Sequence, residues 1–273
     1  MIDINDAKMK FDEYLNGYDR NDDKIHLKIT HTYHVLQAAD EICRGEGIGK
    51  EDHGIALLIA LLHDIGRFEQ LKQFHSFQDS LFNHADFGVK VLFEDRMIEL
   101  FLPERRYDEI IKKAIQYHSV YSLGDVKGLT ARELLHCQII RDADKLDNFR
   151  VKETESIETL FDTPRKQVEL ESITPNIMEA VRNRKSILSG HRVTHMDCWV
   201  SYLAFVFDLN FKTSFRWILN QDYMNRNIDR IAYKNPETKE QMEEIREICN
   251  EFIRERALPS GKSQVVYQDT EYL

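Results

Sequence analysis

Ile55-Ala-Leu-Leu-Ile-Ala-Leu-Leu-His63-Asp64-Ile65-Gly66 is the stretch on which the fold turns. The run Ile55 to Leu62 is apolar throughout, so a helix built from it is buried all round. Eight residues are also far too few to span a bilayer. The run ends in an imidazole and a carboxylate side by side. Burying that pair is costly unless something binds it, and the two donor types together suit a divalent transition metal. Four more residues of the same two types, His31, His84, His118 and Asp144, bracket it along the chain. The chain reads first as a metalloenzyme.

Working outward, helical periodicity dominates, and only 5 prolines and 11 glycines interrupt 273 residues. A helix is expected over Lys24 to Cys43, stopped by Gly45-Glu-Gly47, and another over Lys50 to Gly66. Arg67 to Asn83, with Phe68, Phe74, Phe77 and Phe82, reads as an ordered loop or short helices over the site. Periodicity resumes over His84 to Phe93, Asp108 to His118 and Thr130 to Leu146, the last opened by a capping box, Thr130-Ala-Arg-Glu133. Glu153 to Arg184 is charged and broken by Pro164 and Pro175. Thr194-His-Met-Asp197 is capping-box-like before a buried aromatic helix over Cys198 to Leu209, and Pro236 to Ala257 is amphipathic and opened by its proline. Strand signals are nearly absent, so the expected fold is all-α. No shift in composition marks a linker. The expectation is one domain over 1–273: a metal core at about 25–150, a helical extension at about 151–257 and a poorly ordered polar tail at 258–273.

A net charge of −10 argues against general nucleic-acid binding, which needs a basic face. An anionic small substrate then requires local positive charge, which bound metal would supply. The four cysteines (Cys43, Cys137, Cys198, Cys249) form no Cys-x-x-Cys pair, so neither a zinc knuckle nor a disulfide framework is indicated. The start, Met1-Ile-Asp-Ile-Asn-Asp, lacks the basic and apolar stretches of a signal peptide, and no segment suits a membrane span. The expected setting is the cytoplasm.

The order His31 … His63-Asp64 … Asp144 resembles the defining motif of the HD-domain metal-dependent phosphohydrolase superfamily, whose core is helical. His84-Ala-Asp-Phe-Gly88 is similar to a His-Ala-Glu-x-Gly stretch common there, and Ile115-Gln-Tyr-His118 to the segment carrying a further histidine. The likeness covers about residues 25–150. It implies one or two divalent ions (iron, manganese, zinc, cobalt, nickel or magnesium). Asp64 would bridge, His31, His63 and Asp144 would complete one ion, and His84 and His118 most of the other. Such metals acidify a bound water and polarise a phosphoryl oxygen for in-line attack, leaving the protein mainly to position and neutralise. Arg67 after the Gly66 turn and Lys145 after Asp144 stand where phosphate oxygens would be touched. The family commonly has lysine at the place of Arg67, and arginine chelates oxyanions bidentately.

The implied activity is hydrolysis of a small phosphoester or phosphoanhydride, nucleotide-type substrates first, diadenosine tetraphosphate among them. The Gly-Tyr-Pro signature of cyclic-di-GMP phosphodiesterases is absent, and the long extra domains of guanosine tetraphosphate synthetase-hydrolases have no room. Two alternatives come with the same family. One is a di-iron oxygenase of the myo-inositol oxygenase kind, and the other a module that binds a ligand without turnover. Among other candidates, His34 shares the helix face of His31, and His191 and His195 straddle a loop–helix junction and read as structural. His26, His53, His75 and His136 read as incidental. Asp142 and Asp147 suit capping or ion pairing, and Phe74, Phe77 and Phe82 suit core packing more than a base pocket.

Overall fold

The computed structural model describes residues 2–77 and 83–258, and among these there is no strand. Helix α1 (Ile4–Tyr14) precedes α2 (Asp23–Gly45), whose first N–H groups, on Lys24 and Ile25, are capped by the Asp22 carboxylate. Then come α3 (Lys50–Leu62), α4 (Ile65–Phe74), α5 (His84–Val89), the single turn α6 (Ile98–Phe101) and α7 (Asp108–Tyr117). Helix α8 (Ala131–Thr154) packs on α2, α3 and α7 and opens with the expected capping box, Thr130 with Glu133. Two short helices, α9 (Ile157–Phe161) and α10 (Arg165–Val168), lead to α11 (Pro175–Arg182) and α12 (His195–Leu203). The chain ends in α13 (Lys212–Gln221), α14 (Tyr223–Asp229) and α15 (Pro236–Ala257). Helices α12, α13 and α14 pack against α8, and one buried apolar cluster runs from Ala7 to Ala257.

Three departures from the sequence expectations matter to the site. The helix expected over Lys50 to Gly66 stops at Leu62 and a new one starts at Ile65, with Asp64 between them at φ −104°, ψ 17°. On an unbroken helix, neighbouring side chains diverge by about 100°. The break turns both His63 and Asp64 toward one centre. Helix α8 runs on to Thr154, well past the expected end at Leu146, and in its added turns Asp147 meets both His31 and Arg150. The expected helix His84 to Phe93 ends at Val89 and widens into a π turn, Lys90–Glu94.

Helix α4 takes up the first part of the segment read as a loop or short helices. Phe68 is fully buried, Phe74 is 46% exposed rather than core, and Phe82 lies outside the described residues. The polar tail, apart from Leu258, also lies outside them. The aromatic helix begins at His195 and gives way to a 3-10 turn, Ala204–Asp208.

Gly66 joins α4 to α5. A Cβ there would sit 2.3 Å from the His84 carbonyl oxygen and 2.6 Å from the Gly88 nitrogen. Only glycine lets the two backbones approach this closely. That approach carries His84 toward Asp64.

Candidate metal centre

Asp64 stands at the centre, 3% exposed, with each carboxylate oxygen facing a different pair of imidazoles. Oδ2 lies 3.5 Å from His63 Nε2 and 3.7 Å from His31 Nε2, while Oδ1 lies 3.4 Å from His84 Nε2 and 3.8 Å from His118 Nε2. Two donor groups follow, His31–His63–Asp64 and Asp64–His84–His118, all buried. Asp144 Oδ1 joins the first group 3.1 Å from His31 Nε2. The six sequence candidates, drawn from α2, the α3–α4 break, α5, the end of α7 and α8, converge in one place.

Hydrogen bonds at the far side of the rings set which nitrogen faces inward. His63 Nδ1–H donates to the Ala60 carbonyl (2.8 Å) and His118 Nδ1–H to that of Ile115 (2.6 Å). His31 Nδ1 meets Asp147 Oδ2 at 2.6 Å. With Nδ1 carrying the proton, Nε2 turns a lone pair to the centre, the tautomer a metal ligand needs. The Nε2 atom of His63 is buried without a hydrogen-bond partner, and that of His31 meets Asp144 Oδ1 at 3.1 Å. His84 Nε2 accepts from Arg67 Nη2 (3.0 Å) and lies 3.1 Å from His118 Nε2. Two acceptor nitrogens that close repel each other until a cation lies between them. The residues fit divalent metal.

The electrostatics agree. Burial alone would raise the Asp64 pKa, but the charges of Lys28, His63, Arg67 and His84 hold it well below the usual carboxylate range. Asp144 is likewise driven low against burial, by its hydrogen bond to His31 and by the charges of His31, His63 and His118. Burial pushes His118 down to about 3 and lowers His63, keeping both neutral. His31 goes the other way: burial and Lys28 oppose its protonation, yet hydrogen bonds to Asp144 and Asp147 prevail and its pKa rises. Lys28 Nζ lies 2.5 Å from Asp64 Oδ2, a cation already resting on a lone pair that a metal would use.

Around this centre two clefts open. One, about 280 Å³, contains Lys28, Arg67, Phe77, Asn148, Lys152 and Tyr202 beside the ligating residues. The other, about 360 Å³, shares Arg67, His118, Asp144 and Tyr202 and adds Arg141, Lys145 and Arg192. A cavity of about 480 Å³ lined by Ile2, Leu102 and Tyr107 borders none of the six candidates. Arg67 is at the centre, its Nε 3.8 Å from Asp64 Oδ1 and its Nη1 donating to Gln70 Oε1 (2.5 Å). Lys145 is one step back, buried on the second cleft with its ammonium 2.9 Å from Asp208. Arg141, also buried, donates to the carbonyls of Tyr117, His118, Val120 and Tyr121 and to Asp208, clamping the turn that carries His118.

The sequence reading missed Lys28 and Lys152 as cleft cations. Asp147, read as a cap or ion-pair partner, does pair with Arg150, and the sequence reading missed that it also bonds His31. Asp147 lies three residues past Asp144, a spacing that keeps both on one helix face, and this was the available signal. Asp142 accepts from the backbone N–H of Asn210 and Phe211 and from Ser214 Oγ, tying the start of α13 to α8. His136, read as incidental, is fully buried and bonded to Asp52 (2.9 Å). His195 bonds Glu171 through Nδ1 (2.6 Å), a structural contact as expected.

Among known proteins, the family model of the HD domain matches residues 29–148. No curated protein and no solved structure matches the chain. An HD domain implies metal-dependent phosphohydrolase-type activity in general, and the matched span contains His31, His63, Asp64, His84, His118 and Asp144. Residues 29–148 of this chain are an HD domain of the metal-dependent phosphohydrolase superfamily.

Proposed function

We propose that the protein hydrolyses a phosphoester or phosphoanhydride bond of a small molecule, nucleotide-type substrates first. It would use one or two divalent ions drawn from iron, manganese, zinc, cobalt, nickel or magnesium. His31, His63, Asp64 and Asp144 would hold the first ion, and Asp64, His84 and His118 the second. The observation that carries this reading is Asp64, whose two oxygens each face a separate pair of imidazole nitrogens. Bound metal supplies Lewis acidity toward a phosphoryl oxygen and acidifies water.

The chain's own residues do the rest. Arg67, beside Asp64 and His84, presents a planar cation to a phosphate oxygen next to the centre. Lys28 balances Asp64. Lys145, paired with Asp208, adds positive charge along the second cleft. Burial of all four imidazoles excludes water from the ligand set and strengthens every charge interaction there. The rings of Phe77 and Tyr202 in the cleft wall support a substrate with a flat apolar part. The same reading treats the core and the C-terminal helices as one unit working in the cytoplasm.

The test is metal analysis of protein purified without chelator, then phosphate release from a nucleotide panel, aerobic and anaerobic. Two ions per chain with oxygen-independent phosphate release are expected, and Asp64→Ala should lose both metal and turnover. Less than one ion per chain, or no phosphate release from any substrate, refutes the reading. Turnover surviving in D64A refutes the role of Asp64.

A further inference from the structure

The first cleft extends away from the metal ligands along one face of α8. Asp144, Asn148, Val151 and Lys152 all line it, at the i, i+4, i+7, i+8 spacing of a single helix face. Eight residues carry that face about 12 Å along the helix axis. At its far end is Lys152, only 8% exposed. Its ammonium lies 4.0 Å from the centre of the Tyr202 ring. Among the described residues it has no carboxylate within ion-pairing distance and no hydrogen-bond acceptor.

A structural lysine this buried is expected to be paired, because burying an unpaired ammonium is costly. The Tyr202 ring offsets part of that cost without satisfying the three N–H donors. Asp144, Asp147 and Glu155 favour the charge of Lys152 from a distance, but none is ion-paired or hydrogen-bonded with it. Lys28 and Arg67 line the same cleft, and the only carboxylates among its described lining residues are Asp64 and Asp144. Both of those are committed to the metal centre. Burial first, and then the charge of Lys28, pull Lys152 down to about 8. A cation kept in that position needs an anion that the protein does not itself provide.

We infer that Lys152 is a specificity-determining residue that binds a second anionic group of the substrate, a phosphate or carboxylate set apart from the phosphoryl group at the metal centre. The inference rests on the phosphohydrolase reading and narrows its substrates to small molecules with two separated anionic groups. Tyr202 shapes the seat by holding the lysine over its ring. Leu160 and Val151 add apolar lining to the same cleft.

Two pairs of probes, each differing by one anionic group, test this on the metal-loaded full chain. Adenosine 3′,5′-bisphosphate is set against adenosine 5′-monophosphate, and 3-phosphoglycerate against glycerol 3-phosphate. Calorimetric binding and steady-state kinetics are read for each. At least one pair should favour the compound with two anionic groups by about tenfold or more, the size ordinarily lost with one partner of a charge-assisted hydrogen bond. Preference in the first pair alone identifies the second group as a phosphate, and in the second pair alone as a carboxylate. Lys152→Met should level the preferred pair, chiefly by raising KM for the doubly anionic member, and Lys152→Arg should restore it. Should K152M fail to fold, Lys152→Gln makes the same comparison. Absence of preference in both pairs, or a preference that survives loss of the charge, overturns the inference while metal-dependent phosphate release leaves the phosphohydrolase reading standing. No metal-dependent phosphate release from these compounds or p-nitrophenyl phosphate overturns both.

Discussion

Replacing Gly66 with alanine tests whether the close approach of α4 and α5 builds the second half of the metal centre. The added Cβ would lie 2.3 Å from the His84 carbonyl oxygen and 2.6 Å from the Gly88 nitrogen. Ordinary contact between non-bonded heavy atoms begins near about 3.5 Å, so the two helices must part by about 1 Å. The obstructing atoms are backbone, so no side-chain rotation relieves the clash. Overpacking of this kind costs about 1–3 kcal/mol of stability. The displacement reaches function because the blocked carbonyl belongs to His84 itself. Metal–ligand distances tolerate only about 0.2 Å, so a 1 Å shift takes His84 out of reach of an ion shared with Asp64 and His118. His31, His63 and Asp144 sit on other elements and should keep their ion. The expected G66A protein therefore has a lower urea midpoint and about one metal per chain in place of two, read by elemental analysis after gel filtration. Wild-type stoichiometry with an unchanged midpoint would refute the argument that this glycine sets the second site.

Asp147→Ala should weaken metal binding about 10- to 100-fold, because the 2.6 Å bond from its carboxylate to His31 Nδ1 fixes the ring; a competitive chelator titration measures this. The metal-free protein should lose stability on acidification through His118. Burial lowers its folded pKa to about 3 from the ordinary histidine value of about 6.5, so the unfolded chain binds the proton first and stability falls as the pH drops from about 6.5 toward 3. Urea midpoints of wild type and His118→Gln, compared across that window, should diverge in slope, with the wild type steeper. Parallel slopes would show that His118 is not held neutral in the fold.

The comparison of sequence with structure is uneven across the site. His31, His63, Asp64 and Asp144 were legible because their types and order are themselves the signal, and the apolar run before His63 supplied the burial that makes a bare His-Asp pair costly. His84 and His118 were legible from their flanking residues. Asp147 was not, since an aspartate near a motif is ordinarily a cap or an ion-pair partner, and only the packing of α2 on α8 brings it to His31. Lys152 was hidden for a related reason. It lies in a charged segment past the expected end of its helix, where a lysine ordinarily faces water.

The sequence by itself determined the all-α class, the capping boxes at Thr130 and Thr194, and the six residues that converge. Those properties depend on residue type and on spacing along one helix, and both can be read locally. The tertiary structure alone decided which oxygen of Asp64 faces which pair of imidazoles, which nitrogens face inward, and where the cleft cations gather. Those depend on the break at His63–Asp64, the Gly66 contact with α5 and the Arg141 clamp on the turn after α7. Each joins residues far apart in the chain, and no local pattern records such a meeting.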